Sequence, residues 1–234
     1  MQDGLKRMNR IEDSLEKGVE PYDWPMSRSS PEEYAQTFYP IIGTSLQKHF
    51  AHRKSQGLNN VCLDLASDGW VFTGLRLPHD GALAVGISDP STIGDNRIRY
   101  DMGDVSVVAG NLVKQTTWNE IDAWLAKRNV PSFDQVFFRP GGGIPLIGVQ
   151  SDYPKSLHPI DSTTNEELMF GLLNRVLQRL SPNGEIFAEL GYGTEFDAKA
   201  MESRLRAALN TATISATVRQ NTLKLLVVHI HKIH

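Results

Sequence analysis

The stretch TATISATVRQNTLKLLVVHIH, residues 211–231, decides the fold, because two strand-like segments follow each other there without a helix between them. The segments 211–219 and 222–231 are both rich in β-branched and apolar residues. Only Gln220 and Asn221 separate them, and parallel strands need a much longer crossover connection. The two segments are therefore predicted to pair as an antiparallel hairpin at the end of the chain.

Upstream of this hairpin, strand-like and helix-like segments alternate. Short apolar runs typical of buried parallel strands occupy residues 59–66, 81–88, 105–110, 133–138 and 184–190. Helices are predicted from about residue 117, over 165–180 and over 197–209. This alternation predicts an α/β fold with a mostly parallel sheet and helices on both faces.

Capping residues set the predicted helix starts. Thr117 with Glu120, and Thr163 with Glu166, have the spacing of capping boxes for the first two of these helices. Ser181-Pro182-Asn183-Gly184 is predicted to end the second one and to turn the chain into the fifth strand.

The first 55 residues differ from the rest, and we expect them to form an N-terminal helical extension or cap before a domain at 56–234. A short helix is predicted near 5–17 and a longer one over 30–53. Ser30 is placed to cap the longer helix, and Pro31 suits its first position. Pro40 and Gly43 predict a break or kink within it.

Composition excludes several classes of protein. The formal net charge of −3 gives no general electrostatic footprint for nucleic acid or for an anionic membrane. Cys62 is the one cysteine, so an internal disulfide and a cysteine-rich zinc cluster are excluded. No apolar run approaches the roughly 20 residues of a membrane span, and the N-terminus lacks the apolar core of a signal peptide. A cytoplasmic protein is expected.

Four short landmarks lie at the ends of the strand-like runs: VCLDLASDGW (61–70), AVGISD (84–89), VVAGNL (107–112) and FDQVFFRPGGG (133–143). Their order, together with the final hairpin, resembles the class I S-adenosyl-L-methionine (SAM) dependent methyltransferases from about residue 59 to the C-terminus. That resemblance implies a Rossmann-like fold with a seven-stranded, mostly parallel sheet that ends in an antiparallel hairpin. It also implies SAM as the cofactor.

In this family, an acidic residue on the first strand and a glycine-rich turn approach the methionine part of SAM. Asp64 and Gly69 match that pattern, whereas Ala66 and Asp68 stand where glycines are usual. The resemblance therefore implies a cofactor-binding turn made of Asp64, Ala66, Ser67, Gly69 and Trp70. A plain strand-to-helix turn is the alternative.

The next two landmarks correspond to the ribose and adenine contacts of the family. Either Ser88 or Asp89 is implied to bind the ribose hydroxyls, unless Asp89 simply begins a turn. Asn111 is implied to accept from the adenine amino group, and Leu112 to cover the ring. An asparagine in an ordinary loop is the alternative reading at that place.

The fourth strand of the family ends beside the transferring methyl group, so Arg139 and Pro140 are implied to face the reaction. The sequence lacks the Asn/Asp-Pro-Pro-aromatic signature of amino methylation, which argues against adenine or glutamine as acceptor. The glycines at 141–143 are either a flexible gate or a turn.

Other motifs point elsewhere only weakly. No Gly-x-Ser-x-Gly elbow is present, and no Gly-x-Gly-x-x-Gly follows the first strand. His229 and His231 share one strand face, and an exposed strand end is favoured there over a metal site. His158 is either a general base or an incidental loop histidine.

The leading hypothesis is a SAM-dependent methyltransferase whose acceptor is a small molecule or a protein. A methyltransferase-like binding or scaffold protein that has lost the cofactor is the alternative. A nicotinamide oxidoreductase is a third possibility, and it requires the last strand to be parallel.

Overall fold

One seven-stranded sheet organises the chain. The computed structural model describes residues 30–67, 69–86, 105–110, 112, 114–139, 162–209 and 213–233. The strands are β1 Val61–Leu65, β2 Gly81–Gly86, β3 Val105–Ala109, β4 Phe133–Phe138, β5 Leu180–Tyr192, β6 Ile214–Gln220 and β7 Leu225–Lys232. The helices of the described ranges are α1 Pro31–Ile42, α2 Leu46–Ser55, α3 Trp70–Gly74, α4 Gln115–Arg128, α5 Ser162–Gln178 and α6 Glu195–Ala208.

The strand order is β3-β2-β1-β4-β5-β7-β6. Strands β1 to β5 pair in parallel, and β7 lies antiparallel between β5 and β6. This is the Rossmann-like class I methyltransferase fold, so the predicted fold is confirmed. Because the last strand is antiparallel, the condition set by the oxidoreductase reading is not met.

The predicted hairpin forms, but its loop is longer than two residues. Strand β6 ends at Gln220 and β7 begins at Leu225. The side-chain oxygen of Asn221 accepts from the amides of Leu223 and Leu225, both at 2.9 Å. Asn221 therefore closes the turn with its own side chain, which shifts the start of β7 beyond the predicted position.

The start of α1 follows the prediction. Ser30 accepts from the Glu33 amide, and the Glu33 carboxylate accepts from the Ser30 amide, which completes a capping box. The predicted break lies at Gly43, which ends α1 in a left-handed conformation, while Pro40 remains inside the helix.

Two other capping predictions are wrong. Helix α4 begins at Gln115 after Lys114, without a side-chain cap, and Thr117 is buried inside it. A Cβ on Gly110 would lie 2.6 Å from the Thr117 hydroxyl, so Thr117 packs against the end of β3 instead of capping the helix. Helix α5 begins at Ser162, which places Thr163 within it.

Helices cover both faces of the sheet. Helices α4, α5 and α6 contribute to the larger apolar core, which includes Trp118 and Leu172. Helices α1, α2 and α3 cover the other face through an aromatic core that includes Tyr34, Phe50 and Phe137. Cys62 is fully buried in that second core, as predicted. The boundary at residue 55 remains a prediction.

No helix in the described part of the chain has both the length and the apolar character needed to cross a bilayer.

Candidate functional site

The carboxyl ends of β1, β4 and β5 bring three charged side chains to one edge of the sheet. Asp64, Arg139 and Glu189 belong to neighbouring strands and lie on the face covered by α1. They are 0%, 9% and 3% exposed, respectively. Charged groups are rarely buried without partners, so these residues form a built polar site within an otherwise apolar layer.

The turn after β1 has the backbone of a glycine-rich turn. Ala66 has φ 59° and Gly69 has φ 76°, both in the left-handed region that favours glycine. A Cβ on Gly69 would lie 2.9 Å from the Ala84 Cβ and 3.0 Å from a methyl of Val105, so the turn packs directly on β2 and β3. Ala66 therefore keeps a glycine-like conformation although its side chain disfavours it.

The Ser67 side chain braces this turn. Its oxygen accepts from the Gly69 amide at 3.2 Å, and its own amide donates to the Val85 carbonyl at 3.3 Å. The turn is thus tied both to itself and to β2.

The Asp64 carboxylate is directed towards helix α1. The Tyr34 hydroxyl donates to its two oxygens at 3.1 and 3.3 Å. Burial and the neighbouring Asp64 charge raise the pKa of Tyr34 well above its usual value, so this phenol keeps its proton and remains a donor. Asp64 lies in the predicted site, but it meets a helix that sequence reasoning did not place there.

Arg139 ties β4 and β5 to the same helix. Its Nε lies 2.6 Å from a Glu189 oxygen and donates to the Thr37 hydroxyl at 3.2 Å. Its guanidinium carbon lies 5.5 Å from the centre of the Tyr34 ring, within cation–π range. The side chain that was expected to face the reaction is thus directed into the α1 layer.

The other predicted site residues divide into three groups. Trp70 begins α3 and is 44% exposed beside the turn. Leu112 is buried in the larger core, and its carbonyl accepts from the Trp118 indole at 2.7 Å. Outside the described residues lie Asp68, Ser88, Asp89, Asn111, Pro140, the glycines at 141–143 and His158.

A second polar cluster, here called the amino-edge cluster, consists of His49, Arg53, Gln135, Glu185 and His229. One Glu185 oxygen accepts from His49 at 3.1 Å and from both Arg53 and Gln135 at 2.9 Å. The other oxygen accepts from His229 at 3.0 Å. Burial alone raises the pKa of Glu185, but the hydrogen bonds from His229 and His49 lower it far below its usual range.

The favoured reading of His229 as part of an exposed strand end is wrong. Its ring stacks on Phe187 with centroids 4.9 Å apart, because the two residues are cross-strand partners on β7 and β5. Glu185 supplies the partner that the sequence did not indicate for this histidine. Among the residues that the structure describes, no group of three or more His, Cys, Asp or Glu is arranged to hold a metal ion.

The sequence did contain a signal for both polar clusters. Gln135 and Arg139 are four residues apart, as are Glu185 and Glu189, so each pair lies on one face of its strand. Two neighbouring buried strands with polar residues at both ends of the same face require polar partners in the layer above them. Helix α2 supplies those partners at the amino edge, and α1 supplies them at the carboxyl edge.

Comparison with known proteins gives matches among solved structures only. No family model and no curated protein matches this chain. An rRNA methylase from Streptococcus thermophilus matches at 12% identity and TM-score 0.48, covering 89% of this chain and 99% of its own. The N-methyltransferase NodS from Bradyrhizobium japonicum, in complex with S-adenosylhomocysteine (SAH), matches at 11% and 0.44, covering 80% and 86%. An O-methyltransferase family protein from Burkholderia thailandensis matches at 11% and 0.47, covering 87% and 58%.

Proposed function

We propose that this chain is a SAM-dependent methyltransferase that acts on a small or medium-sized acceptor. The observation that carries the proposal is the turn after β1, where Ala66 and Gly69 both hold the left-handed conformation. Such a turn lets a ligand approach the backbone closely at the carboxyl end of a central strand. A turn that served only to connect a strand to a helix would not need two such residues.

The strand order supports the same location. From β1 the chain goes to β2 on one side, while β4 lies on the other side. In open α/β sheets, ligands bind at the carboxyl ends of the strands where the strand order reverses. The reversal here lies between β1 and β4, and both Asp64 and Arg139 lie beside it.

The residues present fit SAM in the following way. The turn would receive the methionine part through Ala66, Ser67, Gly69 and Trp70, with Asp64 behind it. Ser88 or Asp89 would bind the ribose, and Asn111 and Leu112 would receive the adenine. Arg139 and Pro140 would lie nearest the methyl group. These assignments come from the resemblance and from the place of the turn in the fold.

When bound, SAM supplies an electrophilic methyl group on a sulfonium. The contribution of the chain is to hold the cofactor and acceptor in line and to exclude water between them. The buried carboxylates of Asp64 and Glu189 place negative charge near the cationic cofactor, and the Arg139 guanidinium offsets part of that charge. Methyl transfer of this kind relies on positioning, so no general base is assigned.

The test is calorimetric titration of the whole chain with SAH and with SAM, together with a thermal-shift assay. At a ligand concentration 100 times the Kd, binding stabilises the folded state by about 2.7 kcal/mol, which raises the Tm measurably. Asp64→Ala and Asn111→Ala are expected to weaken binding. Glu120→Ala, on the exposed side of α4, serves as the control that leaves binding unchanged.

Absence of heat and of a Tm shift at millimolar SAM and SAH would contradict the enzyme and favour the scaffold alternative. Full binding by both Asp64→Ala and Asn111→Ala would show that the cofactor lies elsewhere.

A further inference from the structure

We propose that Tyr34 is a positioning residue of the cofactor site and that helix α1 is therefore part of that site. This inference rests on the proposed function. Tyr34 acts through Asp64 and Ser67, which flank the start of the turn, and it holds them in the arrangement that receives the ligand. Helix α1 falls within the segment that the sequence indicated as an extension outside the domain.

The first step of the argument is the burial of Asp64. Its side chain has no exposed surface, and its oxygens accept from the Tyr34 hydroxyl. A carboxylate buried in this way acts on a ligand through the groups that it orients. The Asp64 charge is thus transmitted to the site by its hydrogen-bond partners.

The second step is the link between Tyr34 and the turn itself. Besides donating to Asp64, the Tyr34 oxygen receives a donor interaction from the Ser67 hydroxyl; burial and Asp64 raise the pKa of this phenol, and Ser67 acts to lower it. The Ser67 oxygen in turn accepts from the Gly69 amide. A relay therefore runs from the Gly69 amide through Ser67 and Tyr34 to Asp64.

The third step is the direction of the relay. Every donor in it points towards the Asp64 charge, so each hydrogen bond polarises and strengthens the next. Loss of the Tyr34 hydroxyl cuts the relay in the middle and leaves Ser67 free to rotate. The Gly69 amide then loses its fixed acceptor in the segment that would receive the cofactor.

The fourth step is that α1 has a second connection to the same edge. Thr37 lies one turn after Tyr34 and accepts from Arg139, which lies at the end of β4. Helix α1 thus contacts both strands that border the proposed crevice. A loose cap would not make buried polar contacts with both.

The experiment is a double-mutant cycle on SAH affinity with Tyr34→Phe, Ser67→Ala and the double variant. Both single variants remove one hydroxyl from the same relay, so each is expected to raise the Kd about tenfold. The double variant is expected to be no weaker than the worse single variant, because the relay is already cut. Asp64→Asn retains an acceptor oxygen for Tyr34 and is expected to bind more tightly than Asp64→Ala.

His49→Gln is the matched control. It loosens the same helical layer at the opposite edge of the sheet, where His49 contacts Glu185. It is expected to lower the urea midpoint and to leave the Kd for SAH unchanged, which a purely structural effect of the layer would not do.

The outcomes separate this inference from the proposed function. Wild-type protein that binds SAH, with Tyr34→Phe within twofold of it, overturns the role of Tyr34 while the proposed function stands. Single effects that multiply to about a hundredfold in the double variant overturn the shared relay. Wild-type protein that does not bind SAH overturns the proposed function, and this inference with it.

Discussion

Replacement of Glu185 by glutamine tests the energetics of the amino-edge cluster. The substitution keeps the size of the side chain and removes its charge. In the wild-type protein one carboxylate accepts four hydrogen bonds, including one from Arg53, whose side chain is also buried. The variant leaves that guanidinium without its counter-charge in a place that water hardly reaches.

Removal of one partner from a buried ion pair costs about 3–5 kcal/mol. The glutamine oxygen still accepts from some of the donors, so a loss near 3 kcal/mol is expected. With an m-value of about 2 kcal/mol/M in urea, this loss moves the unfolding midpoint down by about 1.5 M. Urea unfolding at pH 7 measures it.

Glu195→Gln is the control, because Glu195 forms an exposed pair with Lys199 at the start of α6. It is expected to change stability by less than about 0.5 kcal/mol. The apolar double variant Arg53→Met with Glu185→Leu is expected to recover most of the loss, since it leaves no buried charge unpaired.

The pH dependence has a definite sign. Burial raises the pKa of Glu185, but its hydrogen bonds lower it well below the usual value, so its charge stabilises the folded state above the unfolded pKa of about 4.3. This contribution is lost as the pH falls. The difference between wild type and Glu185→Gln should therefore shrink by about 1.5–2 kcal/mol between pH 5 and pH 3, below the range where an ordinary imidazole titrates. A difference that stays constant over this range, or a midpoint shift below 0.3 M at pH 7, would refute the reasoning.

Two further predictions concern the turn after β1. Ala66→Gly removes a buried methyl group but relieves a left-handed conformation, so it should cost about 1 kcal/mol less than Ala84→Gly in the regular strand β2; equal losses in urea unfolding would show that Ala66 is unstrained. Gly69→Ala adds a Cβ 2.9 Å from the Ala84 Cβ and should destabilise the fold by about 2–3 kcal/mol. Adding Ala84→Gly to it should recover part of that loss, and full additivity of the two losses would contradict the packing.

Most of the fold could be predicted because its signals are local. The apolar runs at β1 to β5 and the short connection before β7 are visible in any window of the sequence. The strand order and the antiparallel last strand follow from these signals and from general rules of chain connection. Helix starts were predicted less well, since Thr117 has the chemistry of a cap but is used for packing against Gly110.

The polar sites could be predicted only in part. The turn at 64–70 was located because its residues are consecutive. The Tyr34–Asp64 contact joins residues 30 positions apart, and the His49–Glu185 contact joins residues 136 positions apart. Nothing in the local sequence pairs such residues, because the way α1 and α2 lie on the sheet depends on the packing of the whole aromatic layer.

A crystal structure of the chain with SAH tests the central claim most directly. We expect the ligand between the carboxyl ends of β1 and β4, with its methionine part against residues 66–70 and its adenosyl part extending towards β2 and β3. Ligand density anywhere else on the molecule, or none after soaking at millimolar SAH, would contradict the assignment of this edge of the sheet as the cofactor site.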